Sequence, residues 1–353
     1  MSRATLNRST VVSLSLVAAV ACGGSSRVEG PENALVDAAP VPDAGERGDA
    51  TPADLDAAAP VDSSAPRDTA PVSRSLRFVA IGDTGTGSAD QFKVAAAIKA
   101  KCAASGCDFV QLLGDNFYDS GVSSATDPQF ATKFEQPYAG IDVPFWVVLG
   151  NHDYGANGAG TDVTKPDNQI AYAATSSKFR LPARYWHRVE GEAEFFGLDT
   201  NAQMFNQAGE QKTAVAQWIA ASRSKWKIAF GHHPYLSNGP HGNAGRYDGV
   251  PFVPIANGAG VKSFMDSTIC GAVDIYLSGH DHSRQYLQEP CGATTSLVVS
   301  GAGAKVTTLS GTNAIRFQAA TIGFVYVTLD ARTLTIEFID ADGRSEYTRT
   351  LSK

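Results

Sequence analysis

The feature that most constrains this chain occurs five times: an apolar run, then a glycine, then a side chain able to bind metal. The five stretches are Phe78-Val79-Ala80-Ile81-Gly82-Asp83, Leu112-Leu113-Gly114-Asp115, Trp146-Val147-Val148-Leu149-Gly150-Asn151-His152, Ile228-Ala229-Phe230-Gly231-His232 and Ile275-Tyr276-Leu277-Ser278-Gly279-His280-Asp281-His282. Short runs rich in β-branched and aromatic residues read as buried strands, and glycine marks their ends. Five strand ends that carry oxygen and imidazole groups to one edge of a sheet make a metal site. Asp115 is the candidate for its centre, with the phenol of Tyr118 three residues beyond it.

The intervening segments fit an α/β layered fold. Arg77–Ile81 predicts a strand, and Gln91–Ala103 predicts a helix with Phe92, Ala95, Ala96 and Ile98 at helical spacing. Phe109–Leu113 and Phe145–Leu149 continue the alternation, with a helix expected within Pro128–Tyr138. Tyr154–Asn168 reads as a Gly- and Asn-rich loop at the entrance. Strands are expected at Ala193–Asp199, Lys225–Phe230, Val273–Leu277, Ser296–Ser300, Phe324–Leu329 and Thr333–Ile339, and a helix at Gly209–Arg223. The last two strands form a closing hairpin around Asp330-Ala331-Arg332.

Charge is unevenly spread. The net charge of the 353 residues is -7, and the stretch from Gly23 to Val72, with three Arg against ten Asp or Glu, accounts for all of it. The remainder is near neutral, which argues against nucleic acid as a partner. Residues 1–22 read as an export signal: Arg3 and Arg8, an apolar stretch Val11–Val20, then small residues. Ala19-Val20-Ala21-Cys22 resembles a bacterial lipobox, with Ala19 where Leu is usual. That likeness implies a lipid on Cys22; simple cleavage after Ala21 and secretion is the alternative. Residues 23–73 lack aromatic residues and are dense in Ala, Pro and Asp, a composition expected to stay disordered as a tether to a membrane. The folded domain is then 74–353. Four further cysteines suit an oxidising compartment, and local spacing favours Cys102–Cys107 and Cys270–Cys291.

Six of the seven histidines (His152, His232, His233, His241, His280 and His282) fall in or just after the glycine turns; His187 does not. Carboxylates, one phenol, one amide and imidazoles form a ligand set without sulfur, suited to iron, manganese or zinc. The number of ligands fits two ions bridged by Asp115. Such a pair activates water for in-line attack on phosphorus.

The five blocks Gly82-Asp83-Thr84-Gly85, Gly114-Asp115-Asn116-Phe117-Tyr118, Gly150-Asn151-His152-Asp153, Gly231-His232-His233-Pro234 and Gly279-His280-Asp281-His282 resemble those of the calcineurin-like metallophosphoesterases. Tyr118 narrows the likeness to the purple acid phosphatases of the small, tartrate-resistant type, over about Leu76 to Ile339. The resemblance implies a four-layer sandwich of two mixed β-sheets flanked by helices. It implies Fe(III) held by Asp83, Asp115, Tyr118 and His282, and Fe(II), Zn or Mn held by Asp115, Asn151, His232 and His280. It places His152 and His241 beside the substrate phosphate, either one being the general acid. Asp153 would orient His152 or stabilise its turn, and His233 would stand behind the ligands.

The function implied is an exported acid phosphatase that hydrolyses small phosphate monoesters by attack of a metal-bound hydroxide. A phosphodiesterase or nucleotide hydrolase on the same scaffold is the enzymatic alternative, decided by the loops Tyr154–Arg180 and Ser237–Pro254. A non-catalytic surface binding protein is the other. Tyr118 as a packing residue would leave a colourless site of other metals.

Overall fold

The computed structural model describes residues 75–207, 209–249 and 256–353. The export segment 1–22, the tether 23–73 and Cys22 lie outside the described residues. In chain order the strands are β1 (Leu76–Ile81), β2 (Phe109–Leu113), β3 (Phe145–Val148), β4 (Phe179–Arg180), β5 (Trp186–Glu190), β6 (Ala193–Gly197) and β7 (Trp226–Phe230). They continue with β8 (Ile275–Ser278), β9 (Arg284–Leu287), β10 (Ser296–Ser300), β11 (Ile315–Ala319), β12 (Gly323–Leu329), β13 (Thr333–Asp340) and β14 (Ser345–Ser352). The helices are α1 (Ala89–Ser105), α2 (Pro166–Ala173), α3 (Thr200–Met204), α4 (Gly209–Ala221) and α5 (Ala259–Phe264).

These strands form two seven-stranded sheets, ordered β14-β13-β12-β1-β2-β3-β4 and β11-β9-β10-β8-β7-β6-β5. Both are mixed. In the first, β1 to β4 are parallel, and β12 adds antiparallel to β1 with Leu76 opposite Leu329. In the second, β6, β7, β8 and β10 are parallel, while β5 and β9 run against them.

The sheets meet through aromatic side chains. Phe78 stacks on Phe109 at 4.7 Å and presents its edge to Phe195 (5.7 Å) and Phe230 (5.9 Å) of the second sheet. Successive strand residues face opposite ways, so the neighbours of these rings face outward. Phe196, Ala229 and Tyr276 pack with Val215 and Ile219 of α4 and with Val261 and Phe264 of α5. On the far side, α1 buries Val94, Ala95 and Ile98 in the core of the first sheet. Helix, sheet, sheet and helix are the four layers expected. No helix among the described residues is long and apolar enough to cross a membrane.

Several expectations change. The segment read as a loop from Tyr154 to Asn168 runs into α2, which starts at Pro166, a favoured first helical residue. Its buried side chains include Gln169, so the polar sequence hides an inward face. Within Pro128–Tyr138 the helix is a single π-turn, Ala131–Glu135. The β12–β13 hairpin forms, with Asp330 accepting from the N–H groups of Arg332 and Thr333 (both 2.7 Å). It does not close the sheet, because β14 pairs outside it. Both expected disulfides, Cys102–Cys107 and Cys270–Cys291, are present.

Phe78 is fully buried at the seam between the sheets. Phe78→Ala is expected to cost about 3–5 kcal/mol of unfolding free energy, the usual range for emptying a buried aromatic site. Urea unfolding monitored by circular dichroism measures it.

Candidate metal centre

The ligand candidates enter from the carboxyl ends of β1, β2, β3, β7 and β8, where the two sheets meet. Bonds between turns lock this edge: Asp83 N–H donates to Gly114 O (3.0 Å), and Gly279 N–H to His232 O (3.0 Å). Glycine is needed at both places. Gly114 has φ +88°, and a Cβ there would stand 2.5 Å from His232 Nδ1; a Cβ on Gly279 would stand 2.5 Å from Asp83 Oδ2. Asp83 (φ 60°), Asp115 (φ 53°) and His280 (φ 70°) themselves take the left-handed conformation. For residues with side chains this costs of order 1–3 kcal/mol each and clusters at functional sites.

Two groups of side chains result, with Asp115 shared. In the first, the Tyr118 hydroxyl donates to Asp83 Oδ1 (3.1 Å) and lies 3.1 Å from His282 Nε2. His282 Nε2 is in turn 3.6 Å from Asp83 Oδ1. In the second, His232 Nε2 is 2.9 Å from Asn151 Oδ1, 3.1 Å from His280 Nδ1 and 3.4 Å from Asp115 Oδ1. Ligand atoms of Asp83, Asp115 and His232 all lie within 4.8 Å of one another. All seven expected metal ligands are therefore brought together.

The hydrogen bonds show that this group fits a cation. His232 Nδ1 faces the Leu113 carbonyl at 2.9 Å, so that nitrogen carries the proton and Nε2 carries a lone pair. The Asn151 amide donates to Gly158 O (2.8 Å), which turns Oδ1 inward. That oxygen, Asp115 Oδ1 and His232 Nε2 converge with no proton between them. Burial pushes His232 and His280 below the ordinary imidazole range and His282 down to about 4, which leaves the neutral, ligating form. Burial, and then the charge of Asp115, push the Asp83 carboxyl well up. Burial and the two carboxylates likewise raise the Tyr118 phenol. Positive charge relieves each of these costs.

The flanking residues stand around this group. His152 stands at the mouth, its ring 4.3 Å from that of Tyr118 and its Nε2 4.0 Å from Asp115 Oδ2. The Asp119 carbonyl, 2.6 Å from Nδ1, orients the ring. Of the two roles expected for Asp153, its bonds serve the stabilising of its turn: the carboxylate accepts from the N–H groups of Gly150 (2.8 Å), Asn116 (3.0 Å) and Phe117 (3.2 Å), and from the side chain of Gln169 (2.8 Å). It ties the second and third turns together, and burial followed by the charge of Asp115 pushes its carboxyl to about 7. His241 lies with its ring 4.0 Å from that of His280, and Asp248 Oδ1 is 2.7 Å from its Nδ1. Burial opposes its charge, but Asp248 and Asp281 prevail and its pKa is raised. His233 stands behind, fully buried, with Nδ1 2.9 Å from Thr200 Oγ1.

Four contributors escaped the sequence reading: Thr200, the Asp119 carbonyl, Asp248 and Lys305. Thr200 follows a sixth strand end, Gly197-Leu198-Asp199, and its hydroxyl oxygen accepts from His232 N–H (3.2 Å) and His233 N–H (3.1 Å). That strand end was a usable signal. The other three had none. A cavity of about 360 Å³ opens beside the second group, lined by Asn151, His241 and His280 together with Met204, Phe205 and Tyr247.

A model of the calcineurin-like phosphoesterase family matches residues 76–284. The chain belongs to that family. The chain is 30% identical over 319 residues to the tartrate-resistant acid phosphatase type 5 of Sus scrofa, covering 79% of this chain and 87% of that protein. The fold is shared with a purple acid phosphatase from yellow lupin seeds, at 20% identity and TM-score 0.61 over 79% of this chain and 54% of that one. It is shared equally with GAP50, the anchor in the inner membrane complex of Plasmodium, at 20% identity and TM-score 0.62 over 79% and 89%. This phosphoesterase is thus a hydrolase by family, and the fold alone does not separate an enzyme from an anchor.

Metal should stabilise the protein. With free ion at a hundredfold excess over Kd, each site adds about 2.7 kcal/mol, read as a rise in melting temperature that chelation reverses. Protons compete at the raised Asp83 carboxyl, so the gain shrinks as pH falls. Asp115→Asn, at the shared ligand, should remove most of it.

Proposed function

We propose that the protein is an acid phosphatase that hydrolyses small phosphate monoesters at a pair of metal ions. The observation that carries this reading is Tyr118, whose hydroxyl lies 3.1 Å from both Asp83 Oδ1 and His282 Nε2. A phenol buried among metal-competent groups suits ferric iron. Asp83, Asp115, Tyr118 and His282 would hold Fe(III), and Asp115, Asn151, His232 and His280 would hold Fe(II), Zn or Mn. When bound, such ions supply Lewis acidity and make water acidic enough to act near neutral pH.

The remaining steps fall to the chain. His152, fixed by Asp119 O, presents Nε2 to the phosphoryl oxygens and stabilises their growing charge. His241 lines the cavity that would take the leaving group, and Asp248 keeps it charged, so it is assigned as the acid that protonates the departing oxygen. Met204 and Phe205 give that cavity an apolar wall. Asp153 holds the two turns that carry Asp115 and His152. The two disulfides suit export from the cytoplasm, as does the signal-like segment, with a lipid on Cys22 as anchor.

Steady-state hydrolysis of a chromogenic phosphate monoester and its diester analogue, by the full chain loaded with iron and zinc, tests the reading. A purple sample with faster monoester turnover is expected. Faster diester turnover moves the function to phosphodiester cleavage, and turnover of neither by fully loaded protein favours a binding role. His241→Ala should lower kcat roughly 10²–10⁴-fold. The acid form of His241 persists above its ordinary pKa, so the rate it supports falls only as pH rises through the raised value. Asp248→Asn should therefore move the alkaline limb of the kcat profile to lower pH.

A further inference from the structure

One cation at the mouth of the site has no task in this scheme. Lys305 lies in the segment that follows β10, and three backbone bonds fix that segment to the metal-site turns. Gly301 N–H donates to Ser283 O (3.0 Å), Gly303 N–H to Gly82 O (3.2 Å), and Thr307 N–H to His282 O (2.9 Å). The fit is close, since a Cβ on Gly301 would stand 2.7 Å from Asp83 Oδ2. Between these anchors Lys305 places Nζ 3.5 Å from the centroid of the Tyr118 ring. A π face attracts an ammonium and holds it in place.

Lys305 as a residue is half-buried, and among the described residues no carboxylate pairs with its ammonium. The other positive groups nearby are occupied. Lys133 donates to the Tyr118 carbonyl and to Gln129 Oε1 (2.7 Å), and His241 is paired with Asp248. Lys305 also acts electrostatically on His282, which places its charge within reach of the first group of ligands.

We propose that Lys305 is a specificity-determining residue that binds the phosphoryl group from the Tyr118 side and separates a phosphate dianion from a diester monoanion. The inference rests on the phosphoesterase reading above and adds a residue to it. Coulomb attraction scales with the charge of the ligand, so one fixed ammonium favours a dianion about twice as much, in free energy, as a monoanion. The ions favour both; a further cation not neutralised by the protein sharpens the difference.

Calorimetric titration of the metal-loaded full chain with inorganic phosphate and with dimethyl phosphate tests this, at a pH where phosphate is a dianion. Lys305→Gln should weaken phosphate roughly tenfold and dimethyl phosphate only about threefold, in line with the charge ratio. Lys305→Arg should restore phosphate binding. Metal content and the visible spectrum show whether each variant keeps its centre, and Lys305→Met gives an independent value if the glutamine variant loses metal. Equal weakening of both anions, or no change in either, overturns the role given to Lys305. Failure of the fully loaded native protein to bind phosphate overturns the phosphoesterase reading itself.

Discussion

Two carboxylates, Asp83 and Asp115, are withdrawn from water where two sheets meet, and their repulsion goes unscreened there. In the absence of a counter-charge, burying them costs several kcal/mol per ion. The imidazoles among them do not neutralise them: His232, His280 and His282 are held in their neutral form by the same burial. The edge is therefore built as a set of electron-pair donors whose stability depends on what binds between them. Much else follows from that demand, including the tight glycines and the turn-to-turn bonds.

The backbone shares the cost. Three ligand residues stand in left-handed conformations, and each is held by neighbours that cannot relax without disturbing another turn. His280 N–H donates to Asp83 Oδ2 (2.9 Å), and His152 N–H donates to Asp115 Oδ1 (2.9 Å), so one turn's carboxylate fixes the next turn's backbone. Asp153 does the same for the second and third turns. Its contribution to chemistry is the rigidity of this frame, and its adjacency to His152 in sequence is a consequence of the turn it stabilises.

The grouping at the candidate site was legible in the sequence because its side chains follow strands buried on both faces. Such strands carry short apolar runs, and after four of the five (Gly114, Gly150, Gly231 and Gly279) a Cβ would stand within 2.5 Å of a neighbouring atom. What escaped was polar or edge-on. β9 reads Arg284-Gln285-Tyr286-Leu287, yet it is wholly buried, with Arg284 paired to Glu346 and Gln285 bonded to Asn238 N–H. β14 is a largely exposed edge strand, Ser345-Glu346-Tyr347-Thr348-Arg349-Thr350-Leu351-Ser352, with only Tyr347 and Leu351 packed on the core and thus too sparse an apolar face to announce it. Asp248 and Lys305 sit in loops, where position depends on distant anchors and local sequence carries no period. Sequence left two roles open for Asp153, because adjacency to His152 does not say whether its carboxylate meets the ring or the turn; its bonds go to the turns.

The pairing of β1 with β12 bears on when this protein becomes functional. The first described strand takes one parallel neighbour early, but its antiparallel neighbour lies near the opposite end of the chain. Ligands likewise span from Asp83 to His282. Contacts of such long sequence separation form late and slowly. The ligand set waits for His282 and the first sheet for β12 to β14, so neither is complete while the distant half of the chain is unmade. Such a topology keeps a chain open while it is made, which is the state that transport across a membrane before folding requires.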